Sequence, residues 1–132
     1  MSLDTVTIVC IALLGILLFL LGANVTRNRA LRGGGNQMPT DPSDRLLIAV
    51  RAHGNAAEYI PTMIVLLLVC SVLSDSWVVD VLAIAAVFVR YVHAFGMLTS
   101  PSLATHGPVR DIGALGTYLV GVALGVTALV TI

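Results

Sequence analysis

Four long apolar stretches separated by polar loops organise the chain: Thr5 to Ala23, Ile48 to Leu73, Trp77 to Met97 and Ile112 to Ile132. Each holds about the 20 mostly apolar residues that a membrane-crossing helix needs. The pattern predicts one four-helix domain over residues 1–132, with helices near 5–25, 42–73, 77–98 and 109–131. The second helix is expected to begin before its apolar run, because "TDPSD" reads as a helix start. Asp41 or Thr40 would cap it, Pro42 would fit the first turn, and Asp44 would complement the dipole. The long first loop contains "GGG" without the Lys-Ser/Thr pair of a phosphate cradle, and reads as a flexible connector. The last helix carries a ridge of small residues, Gly113, Thr117, Gly121 and Gly125, spaced for close helix packing in lipid.

Composition turns this pattern into a solvent assignment. With 58 % hydrophobic and 11 % charged residues and a mean hydropathy of +0.99, the chain has too little polar surface to cover a soluble globule. The fold class expected is an all-α integral membrane protein. Asp4, with no basic residue near it, argues against a cleaved signal peptide, so the first helix is expected to stay.

All seven basic residues are arginines. Arg27, Arg29, Arg32 and Arg45 surround the first loop and Arg110 flanks the third, whereas both ends lack basic residues. The positive-inside rule places loops one and three in the cytoplasm and both termini outside. Cys10 and Cys70 then lie near the outer ends of their helices, where either a disulfide or two packed thiols would fit. His53, His93 and His106 lack metal-ligand spacing, so no metal is expected. Nor is there a basic, aromatic surface of the kind nucleic acid requires.

The unusual feature is "RAHGNAAEYIP", Arg51 to Pro61, a polar patch at the head of an apolar run. Arg51, Asn55 and Glu58 share one helical face at spacings of four and seven. Glu58 lies about 15 residues from the outer end of its helix, roughly 22 Å, inside a hydrocarbon layer of about 30 Å. On the antiparallel third helix Arg90 reaches a similar depth, and His93 follows one turn later. Ionisable groups at such depth must face the bundle interior, a partner or water. One reading is a Glu58–Arg90 ion pair that sets helix register. The other is an anion pocket open to the cytoplasm, lined by Arg51, Asn55, Glu58, Arg90, His93 and Arg110. Pro61 leaves a carbonyl one turn back unpaired, consistent with a bend beside that pocket.

"RAHGNAAEYIP", "RYVHAFG" and "GPVR" resemble segments of the membrane-associated proteins in eicosanoid and glutathione metabolism, the MAPEG superfamily. The family includes microsomal glutathione transferases, microsomal prostaglandin E synthase, leukotriene C synthase and the lipoxygenase-activating protein. The resemblance implies a homotrimer with glutathione bound between subunits near the cytoplasmic side. It also implies that Arg51, Asn55, Glu58, Arg90 and His93 line the glutathione site, with Arg110 beside the thiol as catalytic candidate. Glutathione has two carboxylates suited to guanidinium groups and an ammonium suited to Glu58. Arg110, following Pro108 at the start of the fourth helix, would favour the thiolate. The chain departs from several eukaryotic enzymes at Gly54, where they carry arginine, at Met97 and Ala114, where they carry tyrosines, and at Asp111, where they carry serine. It looks like a divergent bacterial branch, to be found in the inner membrane.

The leading expectation is therefore a glutathione-dependent transferase or peroxidase acting on lipophilic electrophiles that arrive through membrane lipid. The first alternative is a non-catalytic lipid- or glutathione-binding scaffold of the same fold. The second is a small four-helix drug exporter, disfavoured because the first helix has no charge between Asp4 and Arg27.

Overall fold

The computed structural model describes residues 4–132. Four helices follow in order: α1 (Thr5–Ala30), α2 (Arg45–Leu73), α3 (Trp77–Leu98) and α4 (Pro108–Val130). All four are long and apolar enough to cross a membrane. α2 and α3 each touch every other helix, whereas α1 and α4 stand at opposite corners without contact among the described residues. The core is a stack of Leu14, Leu21, Ala56, Ile60, Leu67, Ala83 and Ala86, with Leu124 closing it from α4. Alanines on α2 and α3 let those central helices approach, and leucines from α1 fill the remaining space. Many large apolar side chains, among them Phe19, Phe88, Ile112 and Leu119, remain exposed on the outer faces. That distribution suits a lipid solvent.

The helix ends differ from expectation by more than one residue in two places. α1 extends to Ala30 rather than stopping near residue 25, because Asn24, Arg27 and Asn28 are compatible with helix and the stop comes only at the glycines. Gly33, Gly34 and Gly35 all have φ between 80° and 89°, a left-handed run that side-chain-bearing residues resist. α2 begins at Arg45, not at Pro42, and its cap is Asp44 rather than Asp41 or Thr40. The Asp44 carboxylate accepts from the Leu46 and Leu47 amides at 2.7 and 3.4 Å. Asp41 is instead occupied by Ser43, accepting from its amide at 2.9 Å and its hydroxyl at 2.7 Å. That local turn keeps Pro42 outside the helix. α2 then runs unbroken through Pro61.

Loops one and three meet at the same end of the bundle, where the Leu103 amide donates to the Pro42 carbonyl at 2.9 Å. Arg32 from loop one pairs with Asp44 at 2.8 Å. Its hydrogen bond holds the Asp44 carboxyl below the ordinary value of 3.8. A depressed carboxylate pKa adds stability that is fully present above the unfolded value and fades as pH falls through the folded one. Arg32→Ala should therefore shrink the difference between thermal midpoints measured at pH 7 and at pH 3. An unchanged difference would show that the pair contributes nothing to the cap.

Cys10 and Cys70 are both buried free thiols. The Cys70 thiol lies 3.5 Å from the Leu124 carbonyl, which it can reach as a donor.

Candidate functional site

The α3–α4 seam sets the site. Gly96 packs on the backbone of Arg110, Gly113 on that of His93, and Gly116 on the Val89 side chain. Without a Cβ at these positions the two helices approach at backbone contact, and an antiparallel register follows. In that register Arg90 faces Thr117 across the seam, and Arg110 lies at the level of Gly96.

Arg90 is 1 % exposed, the largest fully buried side chain of the described protein. Its guanidinium donates from Nη2 to Asn55 Oδ1 at 2.9 Å and from Nη1 to Thr117 Oγ1 at 3.2 Å. Thr117 in turn donates to the Gly113 carbonyl at 2.8 Å. The Arg90 Cζ sits 5.6 Å from the centre of the Tyr59 ring, and Tyr59 meets Tyr118 at 5.8 Å with the rings tilted by 58°. Each partner is neutral. Among the described residues no carboxylate pairs with Arg90, and its Nε, like Nδ1 of the buried His93, has no hydrogen-bond partner.

This overturns the ion pair between Glu58 and Arg90. Glu58 is exposed on α2, as is Arg51 two turns earlier, and neither joins an ion pair among the described residues. Asn55, lying between them on the same face, is the residue that reaches inward. The helical period explains the division: Ala52, Ala56 and Ile60 form the buried stripe of α2, and Asn55 lies at its margin while Arg51 and Glu58 lie beyond it.

Arg110 is the third residue of α4, whose N-cap, Gly107, makes no side-chain capping bond. The guanidinium folds back toward loop three, donating from Nη2 to the Thr105 carbonyl at 2.9 Å. Its Nε lies 3.6 Å from Asp111 Oδ1, and Asp111 Oδ2 lies 3.4 Å from Nδ1 of the exposed His106. Asp111 thus engages the arginine that was expected to attend a thiol. A cavity of about 220 Å³ lies against this corner, lined by Gly96, Ser100, Thr105, Gly107 and Arg110 among others.

Of the six candidates, the structure joins Asn55 to Arg90 directly and packs His93 beside them on the seam. It sets Arg51 and Glu58 on the adjoining outer face and places Arg110 at the loop end. Three further residues belong to the cluster: Thr117, Tyr59 and Tyr118. Thr117 had been legible only as part of a small-residue ridge, although a lone hydroxyl among glycines was a signal.

The MAPEG family model matches residues 7–130. The chain belongs to the MAPEG family. It is therefore an integral membrane protein of four helices, related to glutathione and eicosanoid metabolism. No curated protein matches the chain as a relative. The Arg90 cluster gathers a cation, a polar amide, a hydroxyl and two phenol rings from α2, α3 and α4.

Proposed function

We propose that this MAPEG protein is a glutathione-dependent transferase or peroxidase for lipophilic electrophiles, with glutathione held near the cytoplasmic side between subunits of a homotrimer. The observation that carries the reading is Arg90, a buried cation bonded only to neutral groups. A buried charge without a counter-charge is costly, and an anionic ligand relieves that cost. Glutathione supplies two carboxylates for Arg90 and Arg51 and an ammonium for Glu58.

Span also fits. Arg110 stands level with Gly96, about 9 Å along the seam from Arg90 at helical rise. An extended tripeptide reaches about 10 Å, so its thiol end can approach Arg110 while a carboxylate meets Arg90. The assembly reading rests on the exposed Arg51 and Glu58, which a membrane helix does not present to lipid and which a second subunit or enclosed water would accept.

The test is equilibrium binding of glutathione to the purified protein in detergent, with ultraviolet absorbance for the thiolate. Binding with a thiolate signal supports an enzyme. Binding without it favours the scaffold reading, to which the contacts of Arg110 with Asp111 and the Thr105 carbonyl lend specific support.

Arg110→Ala should raise the thiol pKa of bound glutathione and lower turnover at neutral pH, with much less effect on binding. Its rate deficit should narrow as pH rises, because hydroxide then forms the thiolate without help. A deficit constant across pH would make Arg110 an anion clamp and not a catalyst.

A further inference from the structure

A second polar cavity lies on another flank of the bundle. It measures about 350 Å³ and is lined by Asn24, Arg27 and Asn28 of α1, Arg45 and Ile48 of α2, and Leu98 of α3. Neither Arg27 nor Arg45 joins an ion pair among the described residues. The nearby carboxylate of Asp44 is already engaged by Arg32 at 2.8 Å. Arg45 is positioned by donating from Nη1 to the Leu98 carbonyl at 3.2 Å, tying the first residue of α2 to the last of α3. The Asn28 amide donates to the Asn24 carbonyl and to its side-chain oxygen at 2.8 and 3.2 Å, so the Asn24 amide group keeps its donors free. Two unneutralised guanidiniums and an amide donor therefore converge on one cavity from different helices.

The surroundings identify the kind of anion. On α1, Leu20 precedes Asn24 by one turn and is 61 % exposed; on α3, Phe95 precedes Leu98 by one turn and is 63 % exposed. Continuing in the same direction, α1 and α3 enclose an apolar groove of about 550 Å³ between Thr5–Leu13 and Ile84–Tyr91. From Asn24 to Leu13 is roughly 16 Å at helical rise, about half the thickness of a hydrocarbon core. The cationic pocket at the basic end thus opens on an apolar α1–α3 face that carries Leu20 and Phe95, and the larger groove begins one leaflet further on, at Leu13 and Tyr91.

We propose that this cavity binds the phosphate of an anionic phospholipid, whose acyl chain runs from it along the α1–α3 face past Leu20 and Phe95. Guanidinium groups suit phosphate oxygens, and basic pockets between membrane helices recognise such headgroups. The site is independent of the glutathione reading, since it uses none of those residues.

The experiment titrates the purified full-length protein in a neutral detergent with phosphatidylglycerol, phosphatidylcholine or soluble glycerol phosphate, following the thermal midpoint. Phosphatidylglycerol should raise the midpoint saturably, and the other two should not. In R27Q/R45Q the apparent affinity for phosphatidylglycerol should fall by about tenfold or more. If the double variant does not fold, R27Q alone serves, because Arg27 makes no side-chain hydrogen bond among the described residues, and a severalfold loss is expected. An equal response in parent and variant overturns the site. A full response to glycerol phosphate overturns the lipid as occupant.

Discussion

Arg90→Met should leave the ligand-free protein about as stable as the parent, yet lower its affinity for glutathione by about a hundredfold or more, the worth of one or two charge-assisted hydrogen bonds. The two effects separate because the side chain is a buried charge without a counter-ion. Removing it abolishes its desolvation cost, and methionine refills much of its volume. Its partners lose little. Thr117 keeps its bond to the Gly113 carbonyl, and Asn55 is only half-buried and can turn outward. Asn55→Leu should behave oppositely. It deprives a cation that already has an unpartnered Nε of its shorter hydrogen bond, and should cost about 1.5–3 kcal/mol. Thermal midpoints without ligand, set beside calorimetric titrations with glutathione, distinguish the cases. If Arg90→Met proves less stable than Asn55→Leu, the guanidinium is a structural strut and the anion-site reading fails.

Gly113→Ala should be the most damaging one-methyl change in α4. An added Cβ would lie 2.5 Å from the backbone nitrogen and Cα of His93. Those atoms belong to a helix and cannot swing aside as a side-chain tip can, so α3 and α4 must separate along the seam. Overpacking of this kind costs typically about 1–3 kcal/mol, and contact with backbone places it at the upper end. The separation also lengthens the reach from Arg90 to Thr117, so ligand affinity should fall with stability. Gly121→Ala is the matched comparison, because nothing lies within 4 Å of a Cβ there. It should be neutral or gain about 0.5–1 kcal/mol from helix propensity within the subunit. Melting curves of both variants in one detergent provide the check. Equal destabilisation would mean that Gly121 packs on another subunit, which detergent-corrected mass would reveal as a shift in assembly.

The sequence alone determined the membrane solvent, the number of helices and the location of the polar patch, because these depend on local quantities. An apolar run of about 20 residues has one stable fate in lipid: its backbone must be satisfied within a helix. The resemblance in "RAHGNAAEYIP" carried the family, and the end of α3 at Leu98 was readable from the chain. The start of α2 was not, because Asp41 and Asp44 are equally good caps in isolation. The Asp41–Ser43 turn and the Arg32–Asp44 pair, the latter made across loop one, favour the second.

The partner of Arg90 lay beyond the sequence for the same kind of reason. Depth along a helix follows from counting residues, and counting put Glu58 and Arg90 at one level. Azimuth depends on how each helix is rotated by its neighbours, and a rotation of one residue position, about 100°, separates a buried group from an exposed one. The alanine stripe of α2 turned Glu58 outward and Asn55 toward Arg90. The glycines of α4 brought Thr117 within reach, and tertiary packing alone decided that the deepest cation would face only neutral groups.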